Sequence, residues 1–326
     1  MFHRIAVAIG AGCAAALLFA VSAQTSAVAM ALAYLAPLPI MIATLGWGLD
    51  SGAIATTISV AALALLAEPL SALLFAASVA VPGWALAAFA VTPVARYLGT
   101  RTSAPSAHVS VGSIVSLASV IGILGGAAIL TAVIVTYGGY GEGARQIAAE
   151  LAALAGGAFG GAESGKAAQE FAETLVRFGP SAIAGSMLLM LCINLYSAAR
   201  SAQLSHRLSR PWPDLPTSLY LPWPLGVLLL GCIAAAYALP SPAGQYFAVG
   251  AGGLGGAFVL QGLAVAHALS RGLALRPVML AALYACCFLR AKYTLPAVAA
   301  LGLVDAFARL RNRPALMPAS NPRTRK

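Results

Sequence analysis

Repeated apolar runs of about 20 residues constrain this chain more than any other feature, because each is long enough to cross a bilayer as one α-helix. A helix also satisfies its own backbone hydrogen bonds, which lipid cannot do. The sequence therefore predicts an all-α, polytopic integral membrane protein of a bacterial type with about 8–10 transmembrane segments. The uninterrupted predicted spans cover residues 5–23, 26–48, 50–67, 70–95, 111–137, 180–200, 221–240 and 244–269.

The last apolar region, residues 275–310, is interrupted by Arg290, Lys292 and Pro296. Charges and a proline inside an apolar run favour two short helices in a hairpin. One long kinked helix is the alternative.

The composition supports a single membrane domain over residues 1–313. Of the 326 residues, 60% are hydrophobic and 9% are charged, whereas an average soluble domain has about 25% charged residues. So few charges cannot cover a soluble surface, and the lipid bilayer is the expected partner. Residues 314–326 are basic and contain prolines, and they are expected to form a disordered tail.

The net charge of +10 indicates topology rather than nucleic-acid binding. Most basic residues stand at the ends of apolar runs, where positive charge marks the cytoplasmic side. This pattern predicts a bacterial inner-membrane protein with both termini in the cytoplasm. Residues 5–23 also resemble a signal peptide with small residues Val21 and Ala23 near a cleavage position; an uncleaved first helix is the favoured interpretation.

Two hydrophilic segments interrupt the spans. Residues 138–179 contain two amphipathic stretches and are predicted to form an external helical hairpin, either a lid over a cavity or a solvated connector. Residues 201–224 combine prolines, arginines and tryptophans and predict an ordered cytoplasmic loop at headgroup level.

No motif supports an enzyme, a cofactor or a metal site. Gly250, Gly252 and Gly255 have the spacing of a dinucleotide loop, but no strand precedes them, and close helix packing is the favoured interpretation. Gly165 and Lys166 partly match a phosphate-binding loop, yet Ala167 replaces the required hydroxyl residue. We therefore predict no catalytic, cofactor-binding or metal-binding residues, and no cofactor.

Polar residues in or at the ends of apolar spans are the candidate ligand site, because such residues need a partner or water. Interhelical hydrogen bonding is the alternative for the two amides, and a structural role is the alternative for the histidine. The arginine could simply reach the outer surface, and the aspartate is expected to pair with Arg309. The candidates are Asn194, Tyr196, Gln261, His267, Arg290 and Asp305.

Several of these segments resemble the YybS-like family of predicted bacterial membrane proteins, which carries a domain of unknown function. The resemblance rests on Asn194–Tyr196 with Arg200 and Arg207, on residues 261–267, and on Leu301–Asp305 with Arg309 and Arg311. That family is distantly similar to the substrate-binding membrane subunits of energy-coupling-factor vitamin transporters. The resemblance thus implies a protein that captures a small solute between helices and docks cytoplasmic ATPases through a partner.

Two function hypotheses follow from these observations. The leading one is a non-enzymatic component that binds or transports a small solute at a site among the later helices. The alternative is a membrane scaffold or assembly factor that recruits a cytoplasmic protein partner through the 201–224 loop and the basic tail.

Overall fold

The computed structural model describes residues 2–23, 26–67, 69–92, 108–156, 163–208 and 211–312. Within these ranges the secondary structure is helical and contains no β-strand. The helices are α1 Phe2–Ala20, α2 Ala27–Tyr34, α3 Pro37–Trp47, α4 Leu49–Leu66, α5 Pro69–Phe75, α6 Val81–Val91, α7 Val111–Tyr137, α8 Tyr140–Gly156, α9 Glu163–Leu204, α10 Leu215–Ser218, α11 Trp223–Ala238, α12 Ala243–Leu269, α13 Arg276–Leu289 and α14 Ala291–Ala308.

In the described part of the chain, eight helical segments are long and apolar enough to cross a membrane. Helices α11 and α13 are also apolar but shorter. The predicted all-α polytopic class is confirmed. The eight segments are Phe2–Ala20, Val28–Trp47, Leu49–Leu66, Pro69–Val91, Val111–Tyr137, Phe178–Leu204, Ala243–Leu269 and Ala291–Ala308.

The chain divides into two compact units. Unit 1 contains Met1–Ala118 and Leu188–Tyr220, and unit 2 contains Ser119–Met187 and Leu221–Lys326. Two of the three dividing points fall within helices α7 and α9, so each of these helices contributes residues to both units, and the third lies between Tyr220 and Leu221.

Small residues let the helices of unit 1 approach closely. A Cβ atom added to Gly12 of α1 would lie 2.7 Å from the Ala55 carbonyl oxygen of α4. At Gly83 of α6 an added Cβ would lie 3.1 Å from the Pro37 Cβ of α3. Helices in lipid gain stability mainly from such close packing, because no hydrophobic effect drives them together.

Helix α12 is the packing centre of unit 2. A Cβ atom on Gly262 would collide with the Val298 carbonyl oxygen of α14, and one on Gly302 would collide with the Phe258 carbonyl oxygen of α12. The three glycines of the dinucleotide-like spacing all lie inside α12, where a Cβ on Gly250 would sit 3.0 Å from the Cys232 sulfur of α11. This placement agrees with the helix-packing interpretation.

Helix α9 begins before the predicted span at 180–200 and runs for 42 residues with Pro180 inside it. Its membrane-length apolar part, Phe178–Leu204, agrees with the predicted span. Helices α8 and α9 do cover much of the segment predicted as an external hairpin, but residues 157–162 between them lie outside the described residues, as do several side chains of the predicted amphipathic faces. The external location remains a prediction.

The 275–310 region forms two helices that meet at Arg290, as the two-helix interpretation expected. Pro296 does not interrupt it, since that residue lies inside α14. In the predicted 201–224 loop, α9 continues to Leu204 and the four-residue α10 follows. The predicted tail, residues 314–326, lies outside the described residues.

Candidate functional site

The six predicted site residues are divided between the two units. Asn194 and Tyr196 belong to unit 1, whereas the other four belong to unit 2. Only Gln261 and Asp305 are in hydrogen-bond contact with each other.

Gln261 and Asp305 form a buried polar group that we call the Asp305 cluster, with Leu221 and Arg311 as its other members. The Gln261 side-chain amide nitrogen donates to Asp305 Oδ2 at 2.9 Å, and its oxygen accepts the Leu221 backbone N–H at 2.8 Å. Arg311 donates to the same carboxylate oxygen through Nη2 at 2.7 Å and Nε at 3.2 Å. The cluster therefore links α12 to α14 and to the backbone at Leu221, just before α11.

The partner of Asp305 is Arg311, so the predicted pairing with Arg309 is wrong. Helix α14 ends at Ala308, and Arg309 takes the left-handed conformation with φ 47°. The backbone N–H of Arg309 bonds to the Asp305 carbonyl while its side chain is exposed. The reversal of direction at Arg309 brings Arg311 back onto the carboxylate.

The Asp305 cluster is closed. Gln261, Asp305 and Arg311 are all at most 1% exposed. Among the described residues, several buried side-chain nitrogen and oxygen atoms have no hydrogen-bond partner, but none of these atoms belongs to the cluster. A buried ion pair whose side-chain atoms already have partners holds helices together and offers little to a ligand.

Asn194 stabilises a helix break in unit 1. The Leu38 N–H bonds to the Leu35 carbonyl, so the Tyr34 carbonyl lies at the gap between α2 and α3. The Asn194 amide nitrogen donates to this carbonyl and to that of Met190, both at 2.7 Å. These bonds match the interhelical alternative for Asn194, although its buried Oδ1 has no partner within the described residues.

The remaining three predicted residues lie at partly or fully exposed positions. The His267 Nε2 atom lies 2.8 Å from the Tyr284 hydroxyl, which joins α12 to α13. Tyr196 is 45% exposed. Arg290 is exposed at the joint between α13 and α14.

Unit 1 contains a cavity of about 360 Å³ that none of the six predicted residues lines. It lies where α3 ends and α4 begins, next to the start of α1 and the end of α6. The Trp84 indole N–H donates to the Leu49 carbonyl at 3.1 Å and so ties α6 to the first turn of α4. We call this space the unit 1 cavity; its lining includes Arg4, Thr44, Trp47, Gly48, Thr92 and Arg207.

The lining of the unit 1 cavity combines two arginines with an aromatic ring. The Arg207 guanidinium carbon lies 4.7 Å from the Trp47 ring centre, and His3 contacts the same ring at 6.3 Å between centroids. The buried indole nitrogen of Trp47 has no hydrogen-bond partner among the described residues. This arrangement can bind a polar or anionic group.

The unit 1 cavity was not predicted from the sequence. Arg4 and Arg207 lie far apart along the chain, and no linear pattern joins them. The one local sequence feature at the cavity is the Trp47–Gly48 pair. There α3 ends, and Gly48 takes a φ of 105°.

The structure offers no alternative metal centre in its described part. There, no group of three or more His, Cys, Asp or Glu side chains is placed to hold a metal ion.

Comparison with known families gives one match. The profile of a family described as predicted membrane proteins (DUF2232) matches residues 13–306, which is most of the chain. No curated protein and no solved structure matches the chain.

Proposed function

We propose that this chain, which belongs to the DUF2232 family of predicted membrane proteins, binds a small solute in the unit 1 cavity as a non-enzymatic component of a transport system. The observation that supports the proposal is the cavity itself, an open space of about 360 Å³ with polar donors in its wall. Ligand sites in proteins are concave spaces of roughly 300–1,000 Å³ with a few polar groups that orient the ligand.

The unit 1 cavity is a better candidate than the later helices. In the Asp305 cluster the polar side chains are hydrogen-bonded to one another, and a solute would have to break a buried ion pair to enter. In the cavity, by contrast, neither Arg4 nor Arg207 has an ion pair with a described carboxylate.

The proposed location is the bacterial inner membrane, with the cavity open to the cytoplasm and both termini there. Arg4 and Arg207 line the cavity, and positive charge at span ends favours the cytoplasmic side. A cavity that opens on this side fits release of a solute into the cell, or capture of a cytoplasmic one.

The proposal includes the YybS-like assignment and a distant functional likeness to the substrate-binding subunits of energy-coupling-factor transporters. Those subunits usually have six spans, whereas the described part of this chain has eight candidate spans. Any such likeness therefore concerns solute capture between helices rather than an identical set of helices.

Native mass spectrometry on protein extracted gently from its own membrane tests the proposal. We expect a small molecule at one per chain. Gly46→Leu places a side chain in the cavity lining and should abolish retention. Gly10→Leu is the matched control, because an added Cβ at Gly10 meets nothing within 4 Å. Absence of any bound small molecule, together with unchanged solute uptake after gene deletion, would refute the proposal.

The scaffold role is the second candidate function. It is favoured by the order of the 211–222 segment, which could present a fixed surface to a partner. Leu219 and Leu221 are buried, and the Leu221 N–H donates to the Gln261 side-chain oxygen. The adjacent Trp223 is 58% exposed. A partner protein that co-purifies at one per chain, and is lost with Trp223→Ala but not with Gly46→Leu, would favour the scaffold.

A further inference from the structure

We propose that the ligand of the unit 1 cavity carries a phosphate-type anion, held between Arg4 and Arg207. The inference rests on the proposed function and narrows it to a ligand class. The group is either the phosphate of a small soluble phosphomonoester or the phosphate of an anionic lipid headgroup, since both present the same oxygens to the site.

The two arginines of the cavity lining are not paired with acidic side chains of the described residues. Arg4 and Arg207 both line the cavity, and no acidic residue is among the described residues that line it. Neither arginine has an ion pair with a described carboxylate; the described ion pairs are Arg145 with Glu142 and Arg311 with Asp305. Two guanidinium groups without carboxylate partners at the wall of a concave site attract an anion.

The contact between Arg207 and Trp47 holds this arginine at the cavity wall. The guanidinium carbon lies over the Trp47 ring, 4.7 Å from the ring centre. A cation–π contact of this kind places the charge without a carboxylate partner. The N–H groups of a guanidinium match pairs of phosphate or carboxylate oxygens.

The start of helix α4 is a further positive feature of the cavity wall. Helix α4 begins at Leu49 after Gly48, and no side chain caps it. Its first turn also contains Asp50, which is exposed and does not line the cavity. N–H groups at a helix start carry partial positive charge and favour anions. Two arginines beside this helix start suit an anion with several oxygens better than a neutral solute.

The first experiment uses the purified full-length chain in a neutral detergent. Thermal unfolding is measured with inorganic phosphate and with chloride at equal ionic strength. The variants are Arg207→Gln and Arg4→Gln, and Arg200→Gln is the matched control because Arg200 is an exposed arginine of α9 that bonds to Gln203 and does not line the cavity. Phosphate should raise the melting temperature of the wild type and the control, and each cavity variant should weaken binding by about tenfold or more.

The second experiment distinguishes the two phosphate sources. The chain is placed in nanodiscs of phosphatidylcholine alone or with added phosphatidylglycerol, and retained lipid is counted by native mass spectrometry. Retention of one phosphatidylglycerol that depends on Arg4 and Arg207 supports the lipid source. A response to inorganic phosphate without lipid retention supports the soluble source.

Failure of this inference is separable from failure of the proposed function. If neither phosphate nor phosphatidylglycerol binds, or if Arg200→Gln weakens binding as much as Arg207→Gln, the anion assignment is wrong. If a native small molecule is retained by the arginine variants and lost only in Gly46→Leu, the proposed solute binding holds. The assignment of that solute to phosphate-type anions is then wrong. If Arg207→Gln fails to fold, Arg4→Gln carries the same test from another helix.

Discussion

The Asp305 cluster and the unit 1 cavity both contain arginine at a helix end, yet they use it in opposite ways. Arg311 is 1% exposed and bonds to a buried carboxylate. Arg207 is exposed, stacks on Trp47 and has no described carboxylate partner. An arginine beside an apolar span is thus part of the packed interior where a carboxylate is buried with it, and stays open to solvent where it lines a cavity.

The physical basis of the difference is desolvation. A charge taken out of water costs several kcal/mol unless a partner and further hydrogen bonds replace its hydration. The Asp305 cluster meets that requirement internally, so stability should depend on it. In the unit 1 cavity the charges keep access to solvent, and binding should depend on them instead.

The largest expected effect is from Asp305→Ala, which leaves Arg311 buried without its carboxylate. We expect a loss of about 3–5 kcal/mol in the free energy of unfolding, measured as a fall in the melting temperature in detergent. Glu142→Ala is the control, because Glu142 and Arg145 form an exposed pair whose removal should change little. An equal fall in both variants would contradict the contrast between buried and exposed pairs.

A smaller loss is expected from Gly262→Ala, which tests the helix contact that brings the cluster together. The added methyl group would meet the Val298 carbonyl oxygen, so α12 and α14 must separate. Overpacking of this kind costs about 1–3 kcal/mol. Gly231→Ala in α11 is the control, since its Cβ would meet nothing within 4 Å; comparable destabilisation of the two variants would refute the close approach.

Gln261→Leu tests whether the Asp305 cluster is structural or binds a solute. It leaves the Leu221 N–H without its acceptor and removes one donor to Asp305, and an unsatisfied buried group costs about 1–3 kcal/mol. We expect a lower melting temperature with unchanged retention of small molecules in native mass spectrometry. Loss of a bound small molecule at unchanged stability would instead restore Gln261 as a ligand residue.

The smallest expected effect on stability is from Arg207→Ala. It removes a stacking contact at an exposed position, worth about 0.5–1 kcal/mol. Thermal unfolding without ligand should therefore change little, while ligand binding is lost. A large fall in the melting temperature of the ligand-free protein would mean that Arg207 is structural, like Arg311.

Much of the fold could be predicted, because span length and apolar content are local properties. The apolar run at 111–137 became α7 with the same limits. Local signals failed at Pro180 and Pro296, which both lie inside helices although proline usually marks a helix boundary. Neighbouring helices and other polar groups can compensate for a missing N–H within the membrane.

The candidate site was much less predictable. Asn194 and Gln261 were singled out because amides in apolar spans need partners, and the structure supplies Tyr34 and Asp305 as those partners. Their identities could not be deduced, since 160 residues separate Asn194 from Tyr34 along the chain. The Arg309 prediction failed for a related reason: helical spacing was assumed beyond Ala308, where the backbone turns into the left-handed conformation.

The apolar runs alone are enough to predict a helical membrane protein, because segments long enough to span lipid must satisfy their backbone hydrogen bonds as helices. Which polar groups meet depends on how those helices pack. Helix rotation, close glycine contacts and a single turn at Arg309 placed Arg311 on Asp305 while Arg207 was left facing a cavity. Convergence of side chains depends on packing in three dimensions, and a linear pattern of residue types does not specify it.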